Sequence, residues 1–492
     1  MKRVSASLLP PIALDTEGGA PIYRQLSDWF RRAIVEGQLR PGERVPSTRA
    51  LAGELKVSRL PVLSAYEQLH AEGYLETFTG AGTCVAGAIP REDVPTPPRR
   101  RRASAPDHGD APARRVAARA AAMAGPEQTW LDSQGAFRVG LPALDAFPHG
   151  VWSRLVSRHA RQTDVGALAY GDALGYLPLR EAIADYLRTV RAVRADASQV
   201  MITTGAQHGL QLCAHVLLDP GDRVWMEEPG YPGAHQALAT VGAQAVLVPV
   251  DADGLDVAEG VRRGPDARMV YITPSHQFPL GVTMSAARRM QLLQWASREG
   301  RWIVEDDYDG EYRFGGKPVT SLQGLDTDAR VIYVGTFSKV MFPALRLGYL
   351  VVPRDLADAF RAARDALDTC SPTLPQRAMT DFIREGHFAR HIRRMRVLYA
   401  ARRAALLEAI GRHLPGRLQV VGAEAGMQLA GLLPEGVDDV ALSRRAALAG
   451  VSVRPLSQCY RGPVHASGLI LGYGGVDERA IEEGVRRLAR SL

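Results

Sequence analysis

Between residues 21 and 35 the apolar positions fall on one helical face, with Ile22, Leu26, Trp29, Phe30, Ala33 and Ile34 recurring at helical spacing. Pro21 suits the first turn of that helix, and Gly37 followed by Pro41–Gly42 ends it. A second short helix is expected over 46–55 with Ser47 as its N-cap. A third is expected over 59–73, capped by Ser58, and it tolerates Pro61 because a first turn needs no intrahelical N–H. The tight turn between them, Lys56–Val57, gives helix-turn-helix spacing, in which the second helix enters the DNA major groove. Residues 74–87 then read as two short strands about Thr79–Gly82, a hairpin wing whose glycines let backbone approach phosphate.

From about residue 135 the pattern changes. RVWMEEP (223–229), ARMVYITP (267–274), RWIVEDD (301–307) and RVIYVGTF (330–337) are short β-branched or aromatic runs between longer helical stretches. Such alternation predicts an α/β domain with a mostly parallel sheet covered on both faces, and ligands at the strand ends. Between the two patterns, about 89–134, Pro, Arg and Ala dominate and include Arg99–Arg102. That segment cannot bury a core and reads as an extended linker, its arginines either solvated or touching phosphate. The expected organisation is therefore 12–88, a linker over 89–134, and 135–492, in keeping with a 492-residue chain.

Charge sharpens this division. Residues 1–125 hold 18 Lys and Arg against 13 Asp and Glu, while the other 367 residues are nearly balanced, so the excess sits where nucleic acid is expected. No apolar run reaches membrane-spanning length, and the proline-broken N-terminus is a poor secretory signal. Cys84, Cys213, Cys370 and Cys459 form no CxxC pair, so reduced thiols in a cytoplasmic protein without a metal site are expected.

Only four of the 60 basic residues are lysine, and one of them, Lys339, lies in GTFSKVMFPALRLGY (335–349). An ammonium can be desolvated, lose its proton and attack an aldehyde to give a Schiff base, which a guanidinium cannot do. Alone, such a lysine is as readily a surface charge. Upstream, however, TTGAQHGLQL (203–212), SHQFPLG (275–281) and VEDDYDGEYRF (304–314) follow the order of a pyridoxal 5′-phosphate (PLP) site. The first is a small-residue turn opening a helix, suited to phosphate. Asp306 at a strand end suits the pyridine nitrogen, and Tyr308 a hydrogen bond to the phenolic oxygen. Glu305, Asp307, Asp309 and Glu311 read as a strand-end charge cluster. Tyr231, in EEPGYPG (227–233), is either a ring stacked on the pyridine or a wedged turn aromatic, and Arg346 with Thr336 offers a phosphate fork.

Residues 20–87 resemble the winged helix-turn-helix of GntR-type bacterial regulators, matching its segments in PGERVPSTRALA, VSR, AYEQLHAEGYLE and GAGTCV. By that resemblance Arg44, Ser47, Arg49, Ser58, Arg59 and Tyr66 contact DNA, helped by Gly80 and Gly82 in the wing. The sequence departs from the pattern at Leu60–Pro61, where many relatives have Asn-Thr, which puts the details of base reading in doubt. Residues 135–492 resemble a fold-type I aminotransferase, with YGDALGYLPLR (170–180) adding to the match and a small subdomain expected after residue 350. The resemblance implies Lys339 as the Schiff-base lysine, Asp306 as the pyridine-nitrogen partner, Tyr308 as donor to the phenolic oxygen and Tyr231 as the stacking ring. Gly205, Ala206 and Gln207 with Thr336 and Arg346 are the implied phosphate cradle. His276 and Gln277 replace the usual Asn-Pro of that neighbourhood, leaving their roles open.

The whole layout is similar to the MocR subfamily of transcription regulators, among them PdxR-like sensors of PLP. It implies an operator in double-stranded DNA, PLP or a PLP–amine adduct as effector, and a head-to-tail homodimer that lends residues between subunits, with Tyr170 a candidate. Three functions compete: a PLP-responsive regulator, a working aminotransferase that also binds DNA, and a DNA-binding protein with a scaffold domain. In ASGLILGYGG (466–475), Ile470 aligns where aminotransferases of α-amino acids carry a carboxylate-clamping arginine, so catalysis is expected to be vestigial unless Arg454 or Arg461 substitutes.

Overall fold

A computed structural model of the chain describes residues 9–15, 20–78, 82–87, 117, 120, 134–162, 165–315 and 319–492. Contacts divide the chain into two compact units, Met1–Ala113 and Arg114–Leu492, each treated by itself. The expected linker lies outside the described residues except for Ala117, Ala120 and Gln134, as does Gly80 of the expected wing.

In the first unit, α1 (Ile22–Val35) buries Leu26, Phe30, Ala33 and Ile34, the centre of the stripe read from sequence, with Ile22 and Trp29 packed at its margin. α2 (Thr48–Leu55) is capped by Ser47, whose hydroxyl accepts from the Ala50 N–H at 3.2 Å. Lys56 closes α2 in the left-handed conformation (φ 53°), which lets the chain turn at once into α3 (Arg59–Ala71). Ser58 stands at the N-cap position of α3, but its side chain makes no capping bond. β1 (Leu75–Phe78) and β2 (Gly82–Val85) pair antiparallel with Leu75 opposite Val85, and Val45 and Glu43 bond to the free edge of β2.

The second unit is built on an eight-stranded sheet of β3 (Val200–Thr203), β4 (Arg223–Glu228), β5 (Gln244–Asp251), β6 (Gly254–Leu255), β7 (Met269–Ile272), β8 (Trp302–Asp307), β9 (Val331–Thr336) and β10 (Gly348–Val351). Their order across the sheet is β3-β10-β9-β8-β7-β4-β5-β6. The central five run parallel; β10 runs antiparallel to both β3 and β9, and β6 antiparallel to β5. The four apolar runs read from sequence are β4, β7, β8 and β9. Both faces are covered: Val224 and Met226 pack into one layer while Trp225 packs into the other, and Tyr271 and Val270 divide in the same way. A second sheet, antiparallel, follows: β11 (Gln419–Val421), β12 (Gln428–Leu432), β13 (Arg454–Pro455) and β14 (Gly468–Gly472), ordered β11-β12-β14-β13. Among the described residues no helix is long and apolar enough to cross a membrane.

Phe30 sits fully buried in the first unit, edge-on to Tyr66 at 5.5 Å. Phe30→Ala is expected to destabilise that unit by about 3–5 kcal/mol. Hydrogen exchange should show the loss of amide protection confined to residues 22–85.

Candidate functional site

Parallel strands bring their C-terminal ends to one edge, and β8 delivers its acidic run there. Side chains alternate, so Glu305 and Asp307 turn away from Asp306. Glu305 accepts from the N–H groups of Leu322 and Gln323, both at 2.8 Å, and Asp307 accepts from Arg191 and from the Tyr333 hydroxyl at 2.6 Å. Glu311 accepts from Tyr186 at 3.1 Å. These acids thus have structural partners within the fold. Asp306 differs. Tyr271 donates to its Oδ2 at 2.9 Å, while Oδ1 is buried with no partner among the described residues. Burial raises the Asp306 carboxyl to about 7.

Lys339 follows β9 on a turn and donates from Nζ to the Gly140 carbonyl at 3.0 Å. Gly140 has φ +74°, and a Cβ there would fall 2.4 Å from Nζ, so the lysine depends on a bare backbone at that point. Part of the side chain stays accessible, yet desolvation lowers the pKa of its ammonium against the opposing charges of Asp309 and Asp306. Tyr308 places its hydroxyl 3.1 Å from His276 Nδ1, and burial first, then the nearby acids, holds it well above its usual range, so it stays a neutral donor. Gln277, whose role the sequence left open, donates to the carbonyls of Pro229 and Phe278 and accepts from the Leu280 N–H, pinning two turns together.

Gly205 (φ +97°) turns the chain from β3 into α4 (Ala206–Leu217), whose first N–H groups have no side-chain cap. Over this helix end lies Arg346: a Cβ on Gly205 would be 3.0 Å from its Nη2, which donates to the Thr204 carbonyl at 2.6 Å. Arg346 is itself left-handed (φ 51°), a conformation a branched guanidinium residue adopts at a cost. A guanidinium against the positive end of a helix is unfavourable unless an anion lies between them. Thr336 ends β9 with its Oγ1 accepting from the Ser338 N–H. The side chain of Gln207 is committed to the Gly233 carbonyl at 2.8 Å, steadying the turn that carries Tyr231, so what it can offer at the helix end is its backbone N–H. Tyr231 stands edge-on to Phe278 at 5.6 Å.

Arg454 lies opposite Ile470 in register, one strand over from the aligned arginine position, and its guanidinium is 5.7 Å from the centroid of Phe278. Arg461, the other expected substitute, instead gives its backbone N–H to Glu228. Gly140 and Tyr271 were not read from sequence as site residues, since only the fold brings them to this edge, and Asp309, read as part of a strand-end charge cluster, instead faces His276 and Lys339.

On the first unit, Arg44, Ser47, Arg49, Ser58 and Arg59 are all exposed. Arg59 donates to Thr48 Oγ1 at 3.1 Å, drawing the starts of α2 and α3 together. Gly82 opens β2 with φ +85°. Tyr66 is different from the expectation: it is 6% exposed, and its hydroxyl donates to the Pro46 carbonyl at 2.9 Å, so it braces the helix pair from inside.

The residues at the strand edge fit PLP: an isolated acid oxygen for a ring N–H, a desolvated lysine, and a guanidinium facing a helix N-terminus. Because the carboxyl of Asp306 is raised in the folded state, its contribution to stability is full below the ordinary carboxylate range and is lost as pH rises through about 7. In ligand-free protein, Asp306→Asn should therefore gain thermal stability relative to wild type as pH rises from about 5 to about 8. A melting difference independent of pH would mean that Oδ1 is not isolated.

The gntR family of bacterial regulatory proteins matches residues 22–85, and the aminotransferase class I and II family matches residues 147–488. The probable rhizopine catabolism regulatory protein MocR of Rhizobium meliloti is 41% identical, over 97% of this chain and 95% of its own length. The HTH-type pyridoxine biosynthesis transcriptional regulator PdxR of Corynebacterium glutamicum is 31% identical over 95% of both. The solved structure of Pyrococcus horikoshii kynurenine aminotransferase, in complex with PMP, has a TM-score of 0.71 at 32% identity, covering 76% of this chain and 96% of that one. The chain belongs to the MocR subfamily of GntR-type transcription regulators, in which a winged helix-turn-helix precedes a fold-type I aminotransferase domain.

Proposed function

We infer that the protein regulates transcription: residues 12–88 bind an operator, and residues 135–492, joined through a linker over 89–134, hold PLP and report on it or on its adduct with a small amine. The observation that carries the effector side is the buried, unpartnered Oδ1 of Asp306, which matches a protonated pyridine nitrogen. When bound, PLP supplies an aldehyde that reacts with amines and a ring that accepts electron density. Lys339 would hold it covalently, Asp306 would keep the ring nitrogen protonated, and Tyr308 would donate to the phenolic oxygen. Tyr231 would cover the ring. The N–H groups of Gly205, Ala206 and Gln207, with Thr336 and Arg346, would bind the phosphate.

Arg454 supports an acidic group on the amine ligand, since its guanidinium reaches the Phe278 wall. The same observation favours the second reading, a working aminotransferase, because it offers a carboxylate clamp despite Ile470. A head-to-tail homodimer agrees with the exposure of Leu168 and of Tyr170, which is 88% exposed in the single chain.

Borohydride treatment of the PLP-loaded protein should fix the cofactor on Lys339, as located by mass spectrometry, and Lys339→Ala should abolish that link. Operator affinity should change roughly 5–150-fold with PLP or an amine in wild type, equal to about 1–3 kcal/mol of coupling, and less in Lys339→Ala. An adduct elsewhere would overturn the site, and binding indifferent to both ligands would favour a scaffold. Steady conversion of a common amino acid at about 1 s⁻¹ or faster would establish the enzyme reading.

Arg49→Ala and Arg59→Ala should each weaken operator binding by about 1–3 kcal/mol and blur specificity, against a background affinity that falls as salt rises. Quantitative footprinting over a salt series checks this, and an unchanged footprint in both variants would sink it.

A further inference from the structure

His276 stands between Tyr308 and Asp309. Its Nδ1 lies 3.1 and 3.0 Å from the two carboxylate oxygens of Asp309 and 3.1 Å from the Tyr308 hydroxyl oxygen. Ring and carboxylate are each 2% exposed. They are closed in by Gly426, where a Cβ would fall 2.2 Å from the ring's Cε1 and 2.4 Å from Asp309 Oδ2, so neither group has room to swing away.

One ring nitrogen carries either a proton or a lone pair, and an ionised carboxylate can only accept. Nδ1 must therefore hold a proton and give it to Asp309. It then has no lone pair for the Tyr308 O–H, although it lies within hydrogen-bond distance of that oxygen. The tyrosine oxygen receives at most a share of the same N–H, and its own proton has to turn to another acceptor. The conclusion is the same whether the ring is neutral or charged. Burial disfavours the imidazolium, but the charge of Asp309 and its hydrogen bond outweigh burial, so the ring's pKa is raised. Arg313 acts on the ring in the opposite sense; Lys339, Tyr308, Tyr312 and, from the end of the smaller sheet, Tyr473 face the charge of Asp309, and Gly422 and Gly426 approach the pair with backbone.

We propose that His276 and Asp309 form a positioning pair that fixes the direction of the Tyr308 hydroxyl proton, turning it toward the phenolic oxygen of bound PLP. This rests on the PLP reading above. It gives the histidine of SHQFPLG a task that the Asn-Pro it replaces would not perform by tautomer selection.

The test follows the visible absorbance of full-length, PLP-loaded protein as pH is varied. A hydrogen bond donated to the ring oxygen favours the unprotonated chromophore, so Tyr308→Phe should raise the spectral midpoint by about 1–2 pH units. In Asp309→Asn the neutral amide no longer demands a proton from Nδ1, so the ring can move its proton to the other nitrogen and Nδ1 becomes the acceptor that captures the Tyr308 proton. Its midpoint should rise by a similar amount, and the double variant should rise no further than Tyr308→Phe alone. Simple removal of a negative charge would instead lower the midpoint, so a downward shift, or full additivity, overturns the proposal. Should Asp309→Asn fold poorly, nitrogen NMR of histidine-labelled wild-type protein, assigned with His276→Asn, decides the matter: Nδ1 must be protonated, and a bare Nδ1 overturns the pairing. That measurement needs no cofactor. A wild type that shows no visible band with excess PLP would refute the PLP reading, while the tautomer result would still stand or fall by itself.

Discussion

Leaving one oxygen of a buried carboxylate without a partner costs about 1–3 kcal/mol or more, and the effector domain is arranged around such an oxygen on Asp306. The parallel sheet makes it possible. β7, β8 and β9 end together, so Tyr271, Asp306 and Thr336 arrive at one edge from consecutive strands. Glu305 and Asp307, one residue either side, are taken up by helix N–H groups and by Arg191 and Tyr333. The fold therefore engages the outer acids of the run EDD with groups of its own interior, Asp307 through Oδ2 alone, and leaves the middle one facing the site. A second imbalance lies at the other end, where Arg346 meets the start of α4. A ligand with a cationic ring at one end and an anion at the other relieves both at once.

How much of this could be read in advance depended on whether the signal was local. The strands β4, β7, β8 and β9 are covered on both faces, so each contains a short run of consecutive β-branched, aromatic or other apolar residues. β5 contains Pro249, which argues against a central strand. The ordered motifs exposed Lys339, Asp306, Tyr308 and Arg346 as a set because their chemistry is unusual for their composition. Gly140 was invisible, since its carbonyl meets a lysine 199 positions away. Tyr66 shows the opposite failure. The resemblance to GntR-type regulators implied a DNA contact, but the tertiary core holds the ring and Pro46 the hydroxyl.

The DNA-binding unit follows a different logic. Its core is small and aromatic, with Trp29, Phe30 and Tyr66 in edge-to-face contact, and it spends few polar groups internally. Ser58 is left uncapping at the start of α3, beside exposed Arg59 and Leu60, so the helix end keeps its N–H groups and its positive dipole for an outside anion. The inner face sets the helix pair, while on the outer face Ser47 and Arg59 also bond within it, so a change at either touches the pair itself.

Gly140 belongs to the short stretch that begins the second unit, where Ala136 bridges to Val451 and the Phe137 carbonyl accepts from Gly472. Its own carbonyl is held by the amine of Lys339. A nitrogen that forms a covalent bond elsewhere has fewer protons to give, so the filling of the site and the anchoring of this stretch draw on the same few hydrogens. The anchoring of this stretch thus depends on the bonding state of a single nitrogen.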